Sequence, residues 1–237
     1  MSTTNYILSH KDFQLGFSDY QKDKYVVLTT KDIKCDMPNV VKFDTDLPDE
    51  MYGEMTFLKW IKDNCTTEWF NTSHYRRLLQ PIYHKVCYVE KMNIGQLYQQ
   101  YYHYHSKQIM DRFVEYLKNT DKGKYVVFDN IMKQNLFVPY NLFQIPMNFI
   151  NVYWEWVCEP IIDFTQNVLG IHSIEEMDNY ITTTDALEER PNKNNSIVYQ
   201  RRFPCCMQER LSTAFWTYVV DGAYQVRVKL MESGQKL

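Results

Sequence analysis

Residues 66–80, Thr-Thr-Glu-Trp-Phe-Asn-Thr-Ser-His-Tyr-Arg-Arg-Leu-Leu-Gln, decide the predicted fold. The run begins as a buried strand and ends in the charged cluster His74-Tyr75-Arg76-Arg77. Arginine keeps its charge inside proteins, so burying two guanidinium groups without a partner would cost much free energy. In α/β sheets, ligands bind at the carboxyl ends of strands. We therefore expect the two arginines to hold an anion there, and a diphosphate matches a pair of guanidinium groups.

The alternative for this cluster is structural. Arg76 and Arg77 would then pair with carboxylates of the protein itself, as in many ion-pair networks. The sequence leaves both interpretations open.

Composition narrows the class of protein. The 237 residues include 45% hydrophobic residues, which predicts one domain spanning residues 1–237. Glycine occurs only 7 times, and neither G-x-x-x-x-G-K-[ST] nor G-x-G-x-x-G is present, which argues against P-loop and classical dinucleotide sites. The net charge of −3 gives no overall signature of nucleic-acid binding. Residues 74–124 and 190–229 nevertheless lean basic, which leaves a local cationic face open.

Cysteine usage and the first residues predict a location. The six cysteines contain no C-x-x-C pair, a pattern typical of a reducing compartment. Residues 1–5 lack the charged-then-apolar build of a signal peptide, and no apolar run is long enough to cross a bilayer. The expected location is the cytoplasm, or the cytoplasm of the bacterial host if the gene belongs to a phage.

Hydrophobic patterning predicts an α/β fold in which a mixed central sheet is flanked by helices. Strands are predicted at 5–9, 25–29, 40–43, 66–74, 85–89 and 125–128, with an extended segment at 139–146. Helices are predicted at 48–64, 92–119, 147–168, 173–180 and 206–220. Residues 182–200 are the most loop-like part of the chain.

An aromatic segment, Tyr101-Tyr102-His103-Tyr104-His105, lies within the predicted helix 92–119. Its two histidines are two positions apart and point to opposite sides of a helix, which is poor geometry for chelating a metal. The tyrosines could stack on a sugar or a base, but packing in the core is favoured.

Three segments together resemble a known family. They are Gly53-Glu54-Met55-Thr56-Phe57-Leu58-Lys59-Trp60-Ile61, Ser73-His74-Tyr75-Arg76-Arg77, and Tyr140-Asn141-Leu142-Phe143-Gln144-Ile145 followed by Phe149, Tyr153 and Trp156. Weaker matches are His10-Lys11, Arg202 and Met207-Gln208-Glu209-Arg210-Leu211. The family consists of uncharacterised domains described as capsular or exopolysaccharide glycosyltransferases of the GT-A type, with a His-Tyr-Arg-Arg motif. The resemblance covers most of the chain, but the chain departs from the family's pattern at 44–49 and at Pro204-Cys205-Cys206.

The resemblance implies a single GT-A-like, Rossmann-like domain that transfers a sugar from a nucleotide-diphosphate donor, with a UDP-sugar as the first choice. Arg76 and Arg77 would act in catalysis by neutralising the leaving diphosphate, the task that a metal performs in other transferases. The donor-binding residues implied by the resemblance are His10, Lys11, Glu54, His74, Tyr75, Asn141 and Gln144.

Glu209 is the implied catalytic carboxylate. It would activate the acceptor hydroxyl as a base, or steady an oxocarbenium-like centre. The alternative is an acid at a helix start, paired with Arg202 or Arg210.

A metal site is the less favoured interpretation of Asp44-Thr45-Asp46, although many sugar-nucleotide transferases hold Mn²⁺ or Mg²⁺ through an Asp-x-Asp that follows a strand. A helix start explains more of the segment. Asp46 would cap the helix, Pro48 would occupy its first turn, and Asp49 and Glu50 would complement its dipole. No cofactor is therefore expected.

Two acceptors remain open: a surface glycan, and a hydroxylated or hydroxymethylated base in phage DNA. A DNA acceptor requires a cationic groove and an aromatic platform for a flipped base. The candidate acceptor-binding residues are Tyr101, Tyr104, Arg201 and Arg202, with Arg190, Lys193, Arg227 and Lys229 as further phosphate contacts. A third option is a binding module for a nucleotide sugar or a glycan that has no catalytic activity.

Overall fold

A central sheet runs through the protein. The computed structural model describes residues 1–189 and 195–231, so Arg190 and Lys193 lie outside the described residues. The strands are Thr3–Leu8 (β1), Tyr25–Thr29 (β2), Val40–Lys42 (β3), Trp69–His74 (β4), Arg77–Leu79 (β5), Cys87–Val89 (β6), Met92–Asn93 (β7), Leu136–Phe137 (β8), Phe143–Pro146 (β9), Tyr224–Val226 (β10) and Val228–Leu230 (β11).

Parallel pairing at the centre of the sheet places several strand ends at one edge. The order is β10-β6-β9-β4-β1-β2-β3, with β5 joining β4 to β11 and with β7 and β8 forming a separate pair. β1 is parallel to both β2 and β4, with Leu8 opposite Leu28 and His74. β9 is antiparallel to β4, so the sheet is mixed. The carboxyl ends of β1, β2 and β4 therefore meet at the same edge.

Helices cover the sheet, which confirms the predicted fold class. They are Asp19–Lys22 (α1), Asp49–Tyr52 (α2), Glu54–Asn64 (α3), Leu97–Tyr104 (α4), Lys107–Thr120 (α5), Lys122–Met132 (α6), Ile150–Tyr153 (α7), Glu159–Asp163 (α8), Ile174–Thr182 (α9), Ile197–Gln200 (α10) and Phe203–Ala214 (α11). Tighter 3₁₀ turns lie at Met147–Phe149 and Asp185–Leu187, and wider π-helical turns at Trp154–Cys158, Phe164–Val168 and Phe215–Val219. Among the described helices, none combines the length and apolar character needed to cross a bilayer.

Aromatic side chains fill the main core between the sheet and the helices. The rings of Phe143 and Tyr153 lie 4.6 Å apart, and Trp216 stacks on Tyr88 at 5.2 Å. All four side chains are buried. The high aromatic content of the chain is therefore largely a packing feature.

Segment 125–128 is a helix, contrary to the predicted strand. Asp121 accepts a hydrogen bond from the backbone N–H of Lys124 at 2.8 Å and so caps α6. Phe128 and Ile131 are buried at helical spacing, whereas Val126 is exposed. The β-branched Val126-Val127 pair suggested a strand, but capping and helical periodicity decide the structure.

The predicted helix 48–64 is two helices that meet at Gly53, where φ is +53°. The predicted cap is wrong, since Pro48 rather than Asp46 occupies the position before α2. Asp46 instead pairs with Lys59, with Nζ–O distances of 2.5 and 2.6 Å, and this hydrogen bond lowers the pKa of Asp46.

Candidate functional site

The His74-Tyr75-Arg76-Arg77 cluster is a tight hairpin rather than a simple strand end. His74 closes β4 and pairs in register with Arg77, which opens the antiparallel β5. Tyr75 and Arg76 form the two-residue turn between the strands. The backbone N–H of Arg76 donates to Nδ1 of His74 at 3.2 Å. This hairpin fixes both arginines at the carboxyl end of β4.

A cavity of about 220 Å³ opens beside the hairpin, and we call it the arginine cavity. The β4–β5 hairpin supplies His74, Arg76 and Arg77, and His10 lies two residues after the end of β1. The remaining lining residues come from helices and from the segment before β9; they are Glu54, His105, Tyr140, Tyr199, Arg202, Cys205, Cys206 and Glu209.

In the part of the chain that the structure describes, the arginines of this cavity form no ion pair closer than 4 Å, although Cys205 and Glu54 both raise the pKa of Arg202. No described carboxylate lies within 4 Å of the guanidinium nitrogens of Arg76, Arg77 or Arg202, whereas Arg201 and Arg210 do have such partners. Arg77 lies 4.0 Å over the ring of Tyr140, and its buried Nε has no hydrogen-bond partner. Pairing with the protein's own acids, the structural alternative, therefore does not account for Arg76 and Arg77.

Two histidines in the cavity are neutral at pH 7. Burial lowers the pKa of His74 to about 3, with a further contribution from Arg76. Burial and then Arg202 lower the pKa of His10 to about 4. Since Nδ1 of His74 accepts the Arg76 N–H, its proton lies on Nε2. The positive charge of the cavity therefore comes from the arginines, and the histidines act as neutral hydrogen-bonding groups.

The first turns of α3 and α11 meet at the cavity because residue 53 is glycine. A Cβ at this position would lie 2.6 Å from Sγ of Cys205. Glu54 opens α3 and accepts a hydrogen bond from Sγ of Cys205 at 3.2 Å. Two helices of 11 and 12 residues thus begin at the cavity wall, and helix N-termini favour anions.

Glu209 lies between the cavity and the turn formed by Tyr140 and Asn141. Its Oε1 accepts the backbone N–H of Tyr140 at 3.0 Å, and its Oε2 accepts from Arg210 at 3.4 Å. Tyr140 and Asn141 have φ of +72° and +49°, an uncommon conformation for residues other than glycine. Burial raises the pKa of Glu209, while Arg210 acts in the opposite direction.

Some predicted donor-binding residues lie outside the cavity lining. Asn141 is buried and donates to Gln208 at 3.2 Å. Gln144 is buried and donates to the carbonyls of Ile82 and Lys85, so its amide N–H groups already have partners. The amide N–H groups of both side chains are thus engaged within the protein, and their assignment to the donor stays a prediction.

The two remaining donor-binding candidates lie at the margin of the cavity. Lys11 is exposed beside His10, whose pKa it helps to lower. Tyr75 packs below the cavity, with its ring against His10 at 6.1 Å and under the guanidinium of Arg76 at 5.3 Å.

The predicted acceptor-binding residues do not come together. Tyr101 is fully buried, with the guanidinium of Arg210 lying 5.2 Å over its ring, and offers no face for stacking. Arg201 makes a two-point ion pair with Asp178, at 2.9 and 2.5 Å. Tyr104 is half-buried and lies outside the lining, whereas Arg202 lies within it.

Several lining residues escaped the sequence analysis. The rings of His105 and Tyr199 stack at 5.2 Å with only 3° between their planes. Tyr140 had a signal, since it opens the segment that resembles the family. His105 and Tyr199 had none, because they are 94 positions apart in sequence and meet only through packing of the helical layer.

The proposed metal residues form no ligand cluster. Among residues 1–189 and 195–231, no group of three histidine, cysteine or acidic side chains is arranged to hold a metal ion. The six cysteines are all free.

Comparison with known proteins supports the fold. No family model matches the chain, and no curated protein sequence matches it. Among solved structures, the chain is similar to the apo structure of the bifunctional glycosyltransferase WbbM, with a TM-score of 0.65 and 13% identity. The match covers 98% of this chain and 46% of that one, so the chain spans about half of the neighbour's length. A likeness at this identity establishes a shared α/β fold.

Proposed function

We propose that the protein is a glycosyltransferase that moves a sugar from a nucleotide-diphosphate donor, with UDP as the first choice of nucleotide, to an acceptor hydroxyl. The observation that carries this proposal is the arginine cavity, where Arg76 and Arg77 lie at the carboxyl edge of parallel strands, form no ion pair with a described carboxylate, and are joined by Arg202. The fold shared with a bifunctional glycosyltransferase supports it.

The arginines fit the diphosphate of such a donor. Guanidinium groups form paired, charge-assisted hydrogen bonds with phosphate oxygens, and the first turns of α3 and α11 add a favourable dipole. Negative charge grows on the leaving phosphate as the glycosidic bond breaks, so fixed cations stabilise the transition state more than the ground state. Neutral His10 and His74 add hydrogen bonds without repelling a bound sugar.

Glu209 is our proposed base. The acceptor hydroxyl gives its proton to this carboxylate while its oxygen forms the new bond to the anomeric carbon. The bond from that carbon to the phosphate oxygen breaks, and the nucleoside diphosphate leaves with the electron pair. Burial raises the pKa of Glu209 and so makes its carboxylate a stronger base than an exposed glutamate.

For the acceptor we favour a glycan over DNA. The residues expected to stack on a flipped base or contact phosphates are largely committed within the protein, since Tyr101 is buried and Arg201 pairs with Asp178. A gel shift with duplex DNA at several salt concentrations tests this choice. We expect weak DNA binding whose affinity changes little with salt concentration. Tight binding that weakens steeply as salt is added would make DNA the favoured acceptor again.

Calorimetry with UDP tests the proposal as a whole. Arg77→Ala should weaken UDP binding by about 10- to 100-fold, because a charge-assisted hydrogen bond contributes about 1.5–3 kcal/mol. Arg76→Ala should weaken it as well. The control Arg112→Ala, which removes an exposed guanidinium bonded to Tyr180, should bind UDP like the wild type.

Two outcomes would contradict the proposal in different ways. Unchanged UDP affinity in both cavity variants would remove the diphosphate site. Tight UDP binding without transfer across panels of sugar donors and acceptors would identify a binding module instead.

A further inference from the structure

A second and larger cavity lies on a different face of α3. It measures about 560 Å³, and Lys59 of α3 lines it. Glu54, which lines the arginine cavity, is five positions earlier and therefore ~140° away around the helix. A smaller cavity of about 210 Å³ shares Asp46 and Lys59 with the larger one. Together they form what we call the indole groove, with Trp154 in the larger part and Trp60 in the smaller.

The charge of the groove excludes phosphate-bearing ligands. The described lining of the larger cavity has five carboxylates and two lysines, so its potential is negative. The acidic side chains are Asp46, Asp121, Glu155, Glu159 and Asp163. A nucleotide or nucleic acid would be repelled from this surface, in contrast to the arginine cavity.

A strongly cationic ligand is also a poor fit, because much of the negative charge is already compensated. Asp46 pairs with Lys59, and Asp163 accepts hydrogen bonds from Tyr116 at 2.6 Å and from Asn167 at 2.7 Å. Lys124 occupies the groove close to Asp121, at 3.9 Å. Lysines of the protein itself therefore already neutralise part of the acidic charge that a basic ligand would otherwise pair with.

The remaining groups suit a neutral ligand rich in hydroxyls. Glu155 and Glu159 are exposed carboxylates with no side-chain partner among the described residues, and each can accept two or more hydroxyl donors. Gln166 offers both a donor and an acceptor. Trp154, which is largely buried, and half-buried Trp60 contribute a small apolar surface that can contact the C–H groups of a sugar ring. The combined volume lies within the usual range for sites that bury a ligand of several rings.

We propose that the indole groove binds a neutral oligosaccharide segment, the part of the acceptor chain distant from the reacting hydroxyl. Its assignment to the acceptor rests on the proposed function, but binding of a neutral glycan does not. An enzyme that holds the acceptor chain in this groove, away from the transfer site, would prefer longer acceptors.

Calorimetry with neutral tri- to hexasaccharides of glucose, galactose, mannose and N-acetylglucosamine tests the groove. We expect at least one series to bind the wild type, and the double variant Glu155→Ala/Glu159→Ala to weaken that binding about 10-fold or more, as expected for lost hydrogen bonds. The control Glu115→Ala removes an exposed acid of α5 outside the groove and should bind normally. All three proteins should bind UDP equally.

The possible outcomes distinguish failure of the groove proposal from failure of the proposed glycosyltransferase activity. Glycan binding that is lost in the double variant, with no UDP binding by any protein, keeps the groove and rejects the transferase. UDP binding with sugar transfer, but no binding of any neutral oligosaccharide, rejects the groove. Equal glycan affinity in the double variant, or tighter binding of sulfated oligosaccharides than of neutral ones, also rejects it.

Discussion

At the scale of single residues, substitution can separate the two roles proposed for Glu209, as a base and as a hydrogen-bond acceptor for the Tyr140 turn. Glu209→Gln keeps an oxygen that can accept the Tyr140 N–H but removes the basic carboxylate. Transfer should then fall by about 10²- to 10⁴-fold, the usual contribution of a general base, while UDP affinity stays within a factor of two. Steady-state rates and calorimetry measure both effects.

The matching variant Glu209→Ala removes the hydrogen bond to the left-handed turn as well. Since Tyr140 lies under the guanidinium of Arg77, this variant should lose UDP affinity in addition to activity. An active Glu209→Gln enzyme, together with weak UDP binding by Glu209→Ala, would show that the carboxylate only positions the turn.

His74 predicts a pH dependence of stability. Its pKa of about 3 lies below the ordinary histidine value, so between pH 6.5 and 3 the unfolded chain binds the additional proton. The free energy of unfolding should therefore fall as the pH drops through this window, by at most about 1.4 kcal/mol per pH unit from this group.

Urea unfolding at pH 7 and pH 4.5 measures that loss. His74→Asn retains an acceptor for the Arg76 N–H and should lose less stability on acidification than the wild type. His172→Asn alters an exposed histidine and should behave like the wild type. Equal losses in all three proteins would mean that His74 titrates normally.

The sequence predicted the residues that carry charge better than those that shape the site. His10, Glu54, His74, Arg76, Arg77, Arg202 and Glu209 all line one cavity. Asn141 and Gln144 lie outside its lining, because a local pattern does not show which face of the backbone is buried. His105 and Tyr199 were missed because contacts between distant helices leave no local signal.

At the scale of elements, the junction of α2 and α3 determines the shape of the arginine cavity. Gly53→Ala would place a Cβ 2.6 Å from Sγ of Cys205 and would strain a φ of +53°. We expect a loss of about 2–4 kcal/mol in the free energy of unfolding, from overpacking plus backbone strain. UDP affinity should also fall, since Glu54 and Arg202 flank the junction.

Gly170→Ala is the matched control, because φ is +70° there but no atom lies within 4 Å of the new Cβ. It isolates the backbone strain, which should cost about 1 kcal/mol. Denaturant melts of the two variants give the comparison. Equal stability losses would mean that the contact with Cys205 relaxes freely.

Element types were predictable where the hydrophobic period was clear. β1, β2 and β4 and the helices around 147–168 and 206–220 lie close to their predicted positions. α6 was mistaken for a strand because Val126 and Val127 have high β-propensity, whereas the Asp121 cap and the buried Phe128 favour a helix. Short edge strands such as β10 and β11 depend on their sheet partners and carry little local signal.

At the scale of the whole molecule, the distribution of cations predicts transfer without a metal ion. The arginine cavity would offer three guanidinium groups to the proposed diphosphate, and Asp46 of the alternative metal pair is engaged by Lys59. We expect activity to persist in excess EDTA. The contrary result would be activity that is lost in EDTA, is restored by Mn²⁺ or Mg²⁺, and is abolished by Asp44→Asn or Asp46→Asn. It would show that those aspartates bind a catalytic metal ion.

The position of β1 at the middle of the sheet has a consequence for synthesis. Its residues Thr3 to Leu8 pair in register with Trp69 to His74, so a nascent chain cannot complete the centre of its sheet until more than seventy residues have left the ribosome. Such long-range pairing slows folding. Until then the edge of β1 that faces β4 stays open beside the apolar residues Tyr6 to Leu8, and a chaperone that shields it should raise the yield of recombinant protein.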